Sequence, residues 1–238
     1  MRFGADTPKQ YLTVNGRPVF TYCFQVFAEH SMVDAIIMVA AKEWEPFIEE
    51  WVAKIGPQKF RGFASPGANR QQSIYNGLLA FKRMNADDND IVIVHDSPRP
   101  LVSPGIITDA LRALDEGYDG AMPAITLKDT VYYSETGSEI TGLLNRDRLF
   151  AGQTPECYRF GDYFRVHAGM SVEDLSAIHG SSEIAFQRGL KIKIVQGSER
   201  NYKITTEDDM KIFVQDLTRT KESPIVSADV KKGRDDDL

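Results

Sequence analysis

Two cysteines, Cys23 and Cys157, are all that 238 residues contain. That is too few for a disulfide framework or a four-ligand zinc site. The four histidines, His30, His95, His167 and His179, lack HExxH-type spacing, and all but His95 read as surface or core residues. No apolar run approaches the roughly 20 residues of a membrane-crossing helix, and no hydrophobic signal segment follows Met1. A reduced cytoplasm is the default compartment, with no membrane partner. Neither GxGxxG nor the P-loop pattern occurs, so a nicotinamide dehydrogenase or P-loop NTPase would lack its phosphate cradle. A GxSxG hydrolase elbow is missing too. Positive charge is also short: 28 Lys and Arg face 34 Asp and Glu, a net charge of −6. This argues against nucleic-acid partners while permitting a local basic site for a phosphate ligand.

What is present is ordinary for a folded chain: 42% hydrophobic and 26% charged residues. Strand-like and helix-like segments alternate. Residues 34–41 and 90–97 are short Ile/Val-rich runs, the mark of buried parallel strands, and 59–64 reads as a third. Helical spacing occupies 43–55 and 70–84, and Ser103-Pro104 opens another helix as N-cap and first residue. This rhythm predicts a mostly parallel sheet covered by helices on both faces. After a strand at 119–125, residues 129–141 alternate around a Thr-Gly turn as a hairpin suited to dimerisation. Helices near 160–168 and 182–189, a strand at 191–197 and a helix at 206–217 follow. Residues 1–220 read as one domain with a β-arm at about 128–150, and 221–238 as a disordered acidic tail.

Parallel α/β sheets bind ligands at the carboxyl ends of their strands, so the polar residues after each strand carry the most weight. His95-Asp96-Ser97-Pro98-Arg99-Pro100 follows the strongest strand. Asp96 there suits a hard divalent cation shared with substrate phosphates, and Arg99 a phosphate oxygen; a local Asp96–Arg99 ion pair reads equally well. Arg2 and Lys9 near Gly4 could surround a polyphosphate or be ordinary N-terminal bases. Lys203 lies on the ligand side of a strand–helix loop, or is a solvated lysine before a cap. Gly67 to Ser73 lead a strand into a helix whose free N–H groups suit an anion or the edge of a base. Arg146 and the Gly152-Gln153-Thr154-Pro155 stretch form the fifth cluster.

In this order PKQYL (8–12), the Arg70/Ser73 helix start with NGL (76–78), HDSPRP (95–100), KDTV (128–131), GQTPE (152–156) and NYKITT (201–206) resemble the cytidylyltransferases that activate polyol phosphates. The resemblance covers Arg2 to about Leu217. It implies a three-layer Rossmann-like fold of the nucleotide-diphospho-sugar transferase type with a projecting arm. The implied reaction joins CTP and a polyol phosphate, with Mg²⁺, into a CDP-polyol and pyrophosphate. By position, Arg2, Lys9 and Lys203 would act on the triphosphate. Asp96 would hold Mg²⁺, and Gly67, Arg70, Ser73 and Ser97 would bind the nucleotide. Thr130 and Arg146 would hold the polyol phosphate across a homodimer interface, with Arg99 and Thr154 as secondary contacts. GQTPE and the HDS variant lean toward ribitol 5-phosphate over 2-C-methyl-D-erythritol 4-phosphate.

The sequence departs from the family pattern in several places. The opening strand and Gly-rich loop of the family have no counterpart here, which predicts open strand edges, exposed apolar surface and weak catalysis. Arg200 stands where an acid often precedes the Asn-x-Lys motif, leaving metal binding mainly to Asp96. Ser182-Glu183 occupies a segment where acids are common, and Ala68 replaces a polar residue near the base. Two other readings compete. One is a nucleotide-binding or dimerisation module that has lost catalysis. The other is a sugar-nucleotide glycosyltransferase, for which DDND (87–90) would have to hold the metal although it precedes its strand.

Overall fold

The computed structural model describes residues 7–178 and 180–222. Arg2, Gly4, His179 and the acidic end from 223 onward lie outside the described residues. The β-branched run Ile91–Val94 forms β5, and the strands around it follow from the same chemistry. In chain order the remaining elements are β1 (Thr13–Val14), β2 (Arg17–Pro18), α1 (Phe20–Glu29), β3 (Ile36–Val39), α2 (Glu45–Ile55), β4 (Phe60–Ala64) and α3 (Arg70–Arg83), all before β5. After it come α4 (Pro104–Asp115), β6 (Gly120–Thr126), β7 (Val131–Tyr133), β8 (Gly142–Leu144), β9 (Phe150–Gly152) and β10 (Glu156–Arg159). The chain then forms α5 (Phe160–Ala168), α6 (Val172–Ala177), α7 (Ser181–Gln187), β11 (Ile192–Gln196) and α8 (Glu207–Glu222).

The main sheet has the order β11-β6-β10-β5, with β9 also paired to β6. β11 runs parallel to β6 from Ile192↔Gly120 to Gln196↔Ala124, whereas β10 is antiparallel to both its neighbours. β5, β6 and β11 therefore share one direction, and their carboxyl ends lie on one side of the sheet. Side chains alternate between two cores, as a period of two demands. Cys157 and Ile93 pack with Ile107, Leu111 and Leu114 of α4, while Tyr158 and Val92 pack with Leu78, Tyr163 and Ile184 of α3, α5 and α7. Helices thus cover both faces, giving the expected three layers.

β3 and β4 form a separate parallel pair. Between β3 and β5 lies a cavity of about 570 Å³, lined by Ile36, Met38, Ile91, Ile93, Phe24 and Phe27 among others. Among the described residues β3 pairs only with β4, and β5 only with β10. Among the described residues, these are the open edges and the apolar surface that the sequence reading expects.

Several elements differ from their sequence reading. The ladder read at 90–97 stops at Val94, freeing His95 to Pro100 as a loop. The hairpin pairs Val131–Tyr133 with Gly142–Leu144, so its second strand starts beyond residue 141, and Gly137 (φ 77°) turns the loop. α8 continues through Glu222, past the helix end read at 217 and the domain limit at 220. β10 and α6 were not read at all: β10 opens on a glutamate, and α6 has only six residues.

In hydrogen–deuterium exchange, the outward amides of β3 and β5 will exchange faster than those of β6 and β10, and an apolar reporter dye will bind the native protein at the slot. Equal protection across all four strands would show that the slot is closed in solution.

Candidate active site

The residue that organises the polar end of the sheet is Asp96, two positions beyond β5. Arg70 donates to its Oδ1 from Nε at 3.0 Å and from a terminal nitrogen at 2.9 Å. Lys203 donates from Nζ to Oδ2 at 2.8 Å. Arg70 starts α3, where the Asn69 side chain caps the helix by accepting from the Gln72 amide at 2.9 Å. The loop before it is tight. The Gly67 amide donates to Ser73 Oγ at 2.9 Å, and a Cβ at Gly67 would fall 2.5 Å from the Gln72 side chain. Gly67 and Ser73 are therefore bonded to each other at the edge of the site.

Lys203 is presented by a loop that is itself tied down. Gln153 donates to the Ser198 carbonyl at 2.8 Å and accepts from the Ser198 amide at 3.1 Å. Buried Asn201 donates to the Thr154 carbonyl at 2.9 Å, and Arg99 donates to the Asn201 carbonyl at 2.7 Å. The Ile204 amide donates to the Pro98 carbonyl at 2.8 Å. Three loops, at 95–100, 153–155 and 198–204, are thus cross-linked by hydrogen bonds. Arg99 and Thr154 sit within that linkage, whereas the Ser97 carbonyl accepts from Cys23 Sγ of α1 at 3.6 Å.

Thr154 Oγ1 accepts from the Asp96 amide at 3.1 Å and lies 3.2 Å from His95 Nδ1, whose Nε2 is 3.0 Å from the Arg99 carbonyl. The threonine hydroxyl is then the donor to Nδ1, and Nε2 carries the proton toward the carbonyl. This tautomer is neutral, in keeping with burial, which lowers the His95 pKa to about 4. Asp96 moves the other way. Burial opposes its charge, but Arg70 and Lys203 outweigh that and hold the carboxyl well below the usual carboxylate range.

A second buried acid, Glu156, stands at the start of β10 and was not singled out from the sequence. It accepts from Tyr158 Oη at 2.5 Å and from Ser182 Oγ at 3.0 Å. Burial raises its pKa.

Other residues predicted for the site lie elsewhere. Lys9 is on the one-turn helix Lys9–Tyr11, anchored by Tyr11 stacking on Trp44 at 4.3 Å. Thr130 and Arg146 are exposed on the arm, with Arg146 donating to the Lys128 carbonyl at 2.6 Å. An ion pair between Lys128 and Glu199 ties the root of the arm to the loop bearing Lys203. The DDND stretch caps a turn at the amino end of β5, opposite the site: the Asp90 carboxylate accepts from the Asp87 amide at 2.8 Å, and Asp88 pairs with Arg165.

Comparison with known proteins adds independent evidence. Residues 1–218 match the sequence profile of the IspD family, 2-C-methyl-D-erythritol 4-phosphate cytidylyltransferase. The enzyme of that name from Geobacter metallireducens is 36% identical over 212 residues, 88% of this chain and 89% of the relative. A ribitol-5-phosphate cytidylyltransferase from Streptococcus agalactiae is 27% identical, covering 87% and 85%. The crystal structure of the Francisella tularensis 2-C-methyl-D-erythritol 4-phosphate cytidylyltransferase superposes with a TM-score of 0.75 at 25% identity, covering 87% of this chain and 92% of that one.

Two imidazoles, His95 at the site and His167 in α5, give the protein a pH signature. Burial lowers His167, like His95, to about 4. Between about pH 4 and 6.5 the unfolded chain binds protons at these rings that the folded chain does not, so stability rises with pH there. Each ring contributes up to about 1.4 kcal/mol per pH unit, and the raised Glu156 opposes this in part above pH 4.5. In NMR titration, neither ring will change charge between pH 5.5 and 7.5, and the melting temperature will fall as pH is lowered from 6.5 to 4.5. Either His95 or His167 titrating near 6.5 in the folded protein would contradict the assignment.

Proposed function

The chain belongs to the family of 2-C-methyl-D-erythritol 4-phosphate cytidylyltransferases, and we propose that it transfers CMP from CTP to 2-C-methyl-D-erythritol 4-phosphate. The observation that carries this reading is the Asp96 carboxylate, held between Arg70 and Lys203 at the carboxyl end of β5. A phosphate oxygen of the polyol phosphate attacks the α-phosphorus of CTP. The bond to the bridging oxygen breaks, and pyrophosphate leaves with the electron pair. The attacking oxygen is already anionic, so no enzymic base is required, and neutral His95 serves as a loop strut. Catalysis then rests on positioning and on cations aimed at the developing charge. Lys203 supplies one, Lys9 and Arg2 supply others around the triphosphate, and the Gly67–Ser73 loop with Arg70 and Ser97 borders the nucleotide. The family match favours the methylerythritol substrate over the ribitol one toward which the motifs lean, since the relatives so named reach 36% identity against 27%.

A divalent cation fits as a partner of one carboxylate. Among the described residues no three His, Cys, Asp or Glu side chains cluster to hold a metal. Mg²⁺ characteristically takes one or two carboxylates and completes its shell with substrate phosphates and water. Asp96 would hold it through Oδ2, which retains acceptor capacity beside Lys203. The ion would neutralise triphosphate charge.

The arm exposes Tyr132, Tyr133, Ile140, Leu143 and Leu144, an apolar surface that supports pairing with a second copy. Pairing would bring Thr130 and Arg146 of one subunit to the polyol phosphate in the other.

Pyrophosphate release from CTP and Mg²⁺ will be faster with 2-C-methyl-D-erythritol 4-phosphate than with ribitol 5-phosphate. The reverse order would overturn the substrate, and no release with either would overturn the catalytic reading. Lys203→Ala will lower kcat by roughly 10²-fold and, by leaving Asp96 to Arg70 alone, will also lower the melting temperature. Asp96→Asn, which leaves two cations facing each other, will destabilise the fold by about 1–3 kcal/mol, moderated by partial solvent screening. In light scattering the parent will run as a dimer and Leu143→Asp as a monomer; a monomeric parent would remove the arm from the argument.

A further inference from the structure

Arg70 uses only part of its guanidinium on Asp96. Its remaining terminal nitrogen donates to Ser181 Oγ at 2.8 Å. Ser181 is fully buried at the first turn of α7, and its hydroxyl in turn donates to Glu156. A continuous chain results: Glu156 accepts from Ser181, Ser181 accepts from Arg70, and Arg70 donates to Asp96, which also accepts from Lys203. Glu156 is 6% exposed and gains further donors in Tyr158 and Ser182. Behind it Tyr158 stacks on Tyr163 at 3.9 Å with the rings 4° from parallel, and Tyr163 Oη donates to the Ser181 carbonyl at 3.2 Å. The acceptor end of the chain is therefore fixed by packed, fully buried side chains, whereas Asp96 stands at the loop end.

A buried carboxylate is costly to desolvate, and the donors in direct contact with Glu156 are neutral hydroxyls. Arg70, one hydroxyl away, is its cationic neighbour. The arrangement gives Arg70 two anions, one of which must change partners if Asp96 turns to an incoming ligand.

We propose that Glu156 is a positioning residue that holds the Arg70 guanidinium at the nucleotide site through the Ser181 hydroxyl, so that Arg70 keeps its place while Asp96 exchanges partners. The proposal rests on the nucleotide-site reading given above, and its test separates the two.

Two variants address the link. Glu156→Gln removes the charge but keeps an acceptor, and Ser181→Ala breaks the relay but keeps the carboxylate. In NMR spectra of the ligand-free protein, the Arg70 Nε–H signal will be sharp and slow to exchange in the parent. It will exchange at least about tenfold faster in both variants. CTP affinity will fall about tenfold in each, while Glu156→Gln added to Arg70→Ala will cost less than twofold more. An unchanged Arg70 signal in folded variants would overturn the proposal, as would an equal Glu156→Gln effect with and without Arg70. If Glu156→Gln fails to fold, Ser181→Ala decides alone, since it leaves the buried acid in place. A parent that binds no CTP would sink the nucleotide-site reading, while the Arg70 signal would still decide the relay.

Discussion

A carboxylate that accepts from two cations can keep its charge under burial only if both are held in place, and Asp96 draws its partners from distant parts of the chain. Arg70 comes from the start of α3 and Lys203 from the loop before α8. At an effective dielectric near 20 such a pair at contact is worth a few kcal/mol, comparable with the desolvation it must offset. The balance tips toward the charged form because the loops are already bonded to one another through Gln153, Thr154, Arg99 and Asn201. These hydrogen bonds fix the distances that the charges need.

Strand direction explains why these loops meet. β5, β6 and β11 end on the same side, where a mostly parallel sheet collects its polar loops. β10 runs the other way, so its beginning lies beside their ends. Glu156 pairs with Val94, the last residue of β5. A motif that precedes a strand in sequence therefore joins residues that follow strands. One antiparallel insertion puts Gln153, Thr154 and Glu156 next to His95 and Asp96.

Much of this was legible beforehand. The Ile/Val runs at β3 and β5, the Ser103-Pro104 start of α4 and the motif clusters at strand ends follow from local chemistry, which a single sequence displays. What local chemistry omits was harder to read. β10 begins with a charged residue whose burial depends on hydroxyls supplied by α7, 25 or more positions later, so nothing local set Glu156 apart within the GQTPE motif. The Asp96–Arg99 pairing was a natural reading at a spacing of three, yet Asp96 took Arg70 and Lys203, while Arg99 turned to the Asn201 carbonyl. Spacing ranks near neighbours; the sheet order chose distant ones. The one clue was that Arg70 opens a helix directly after a predicted strand.

The charge balance also bears on what the site is built to receive. Arg70, Arg99 and Lys203 face Asp96 and Glu156, leaving one surplus positive charge in a chain whose net charge is −6. That surplus is concentrated at the carboxyl end of the sheet. A local positive field on an acidic protein attracts small polyanions while the remaining surface repels nucleic acid and anionic membranes. A triphosphate carries more charge than one surplus cation neutralises, so a bound nucleotide calls for the additional basic residues or for a divalent ion beside Asp96. On the proposed function, the triphosphate would compete with Asp96 for Arg70 and Lys203. On that reading the ligand-free state is a resting arrangement, in which the site's cations would be stored against an internal carboxylate until the substrate's phosphates replace it.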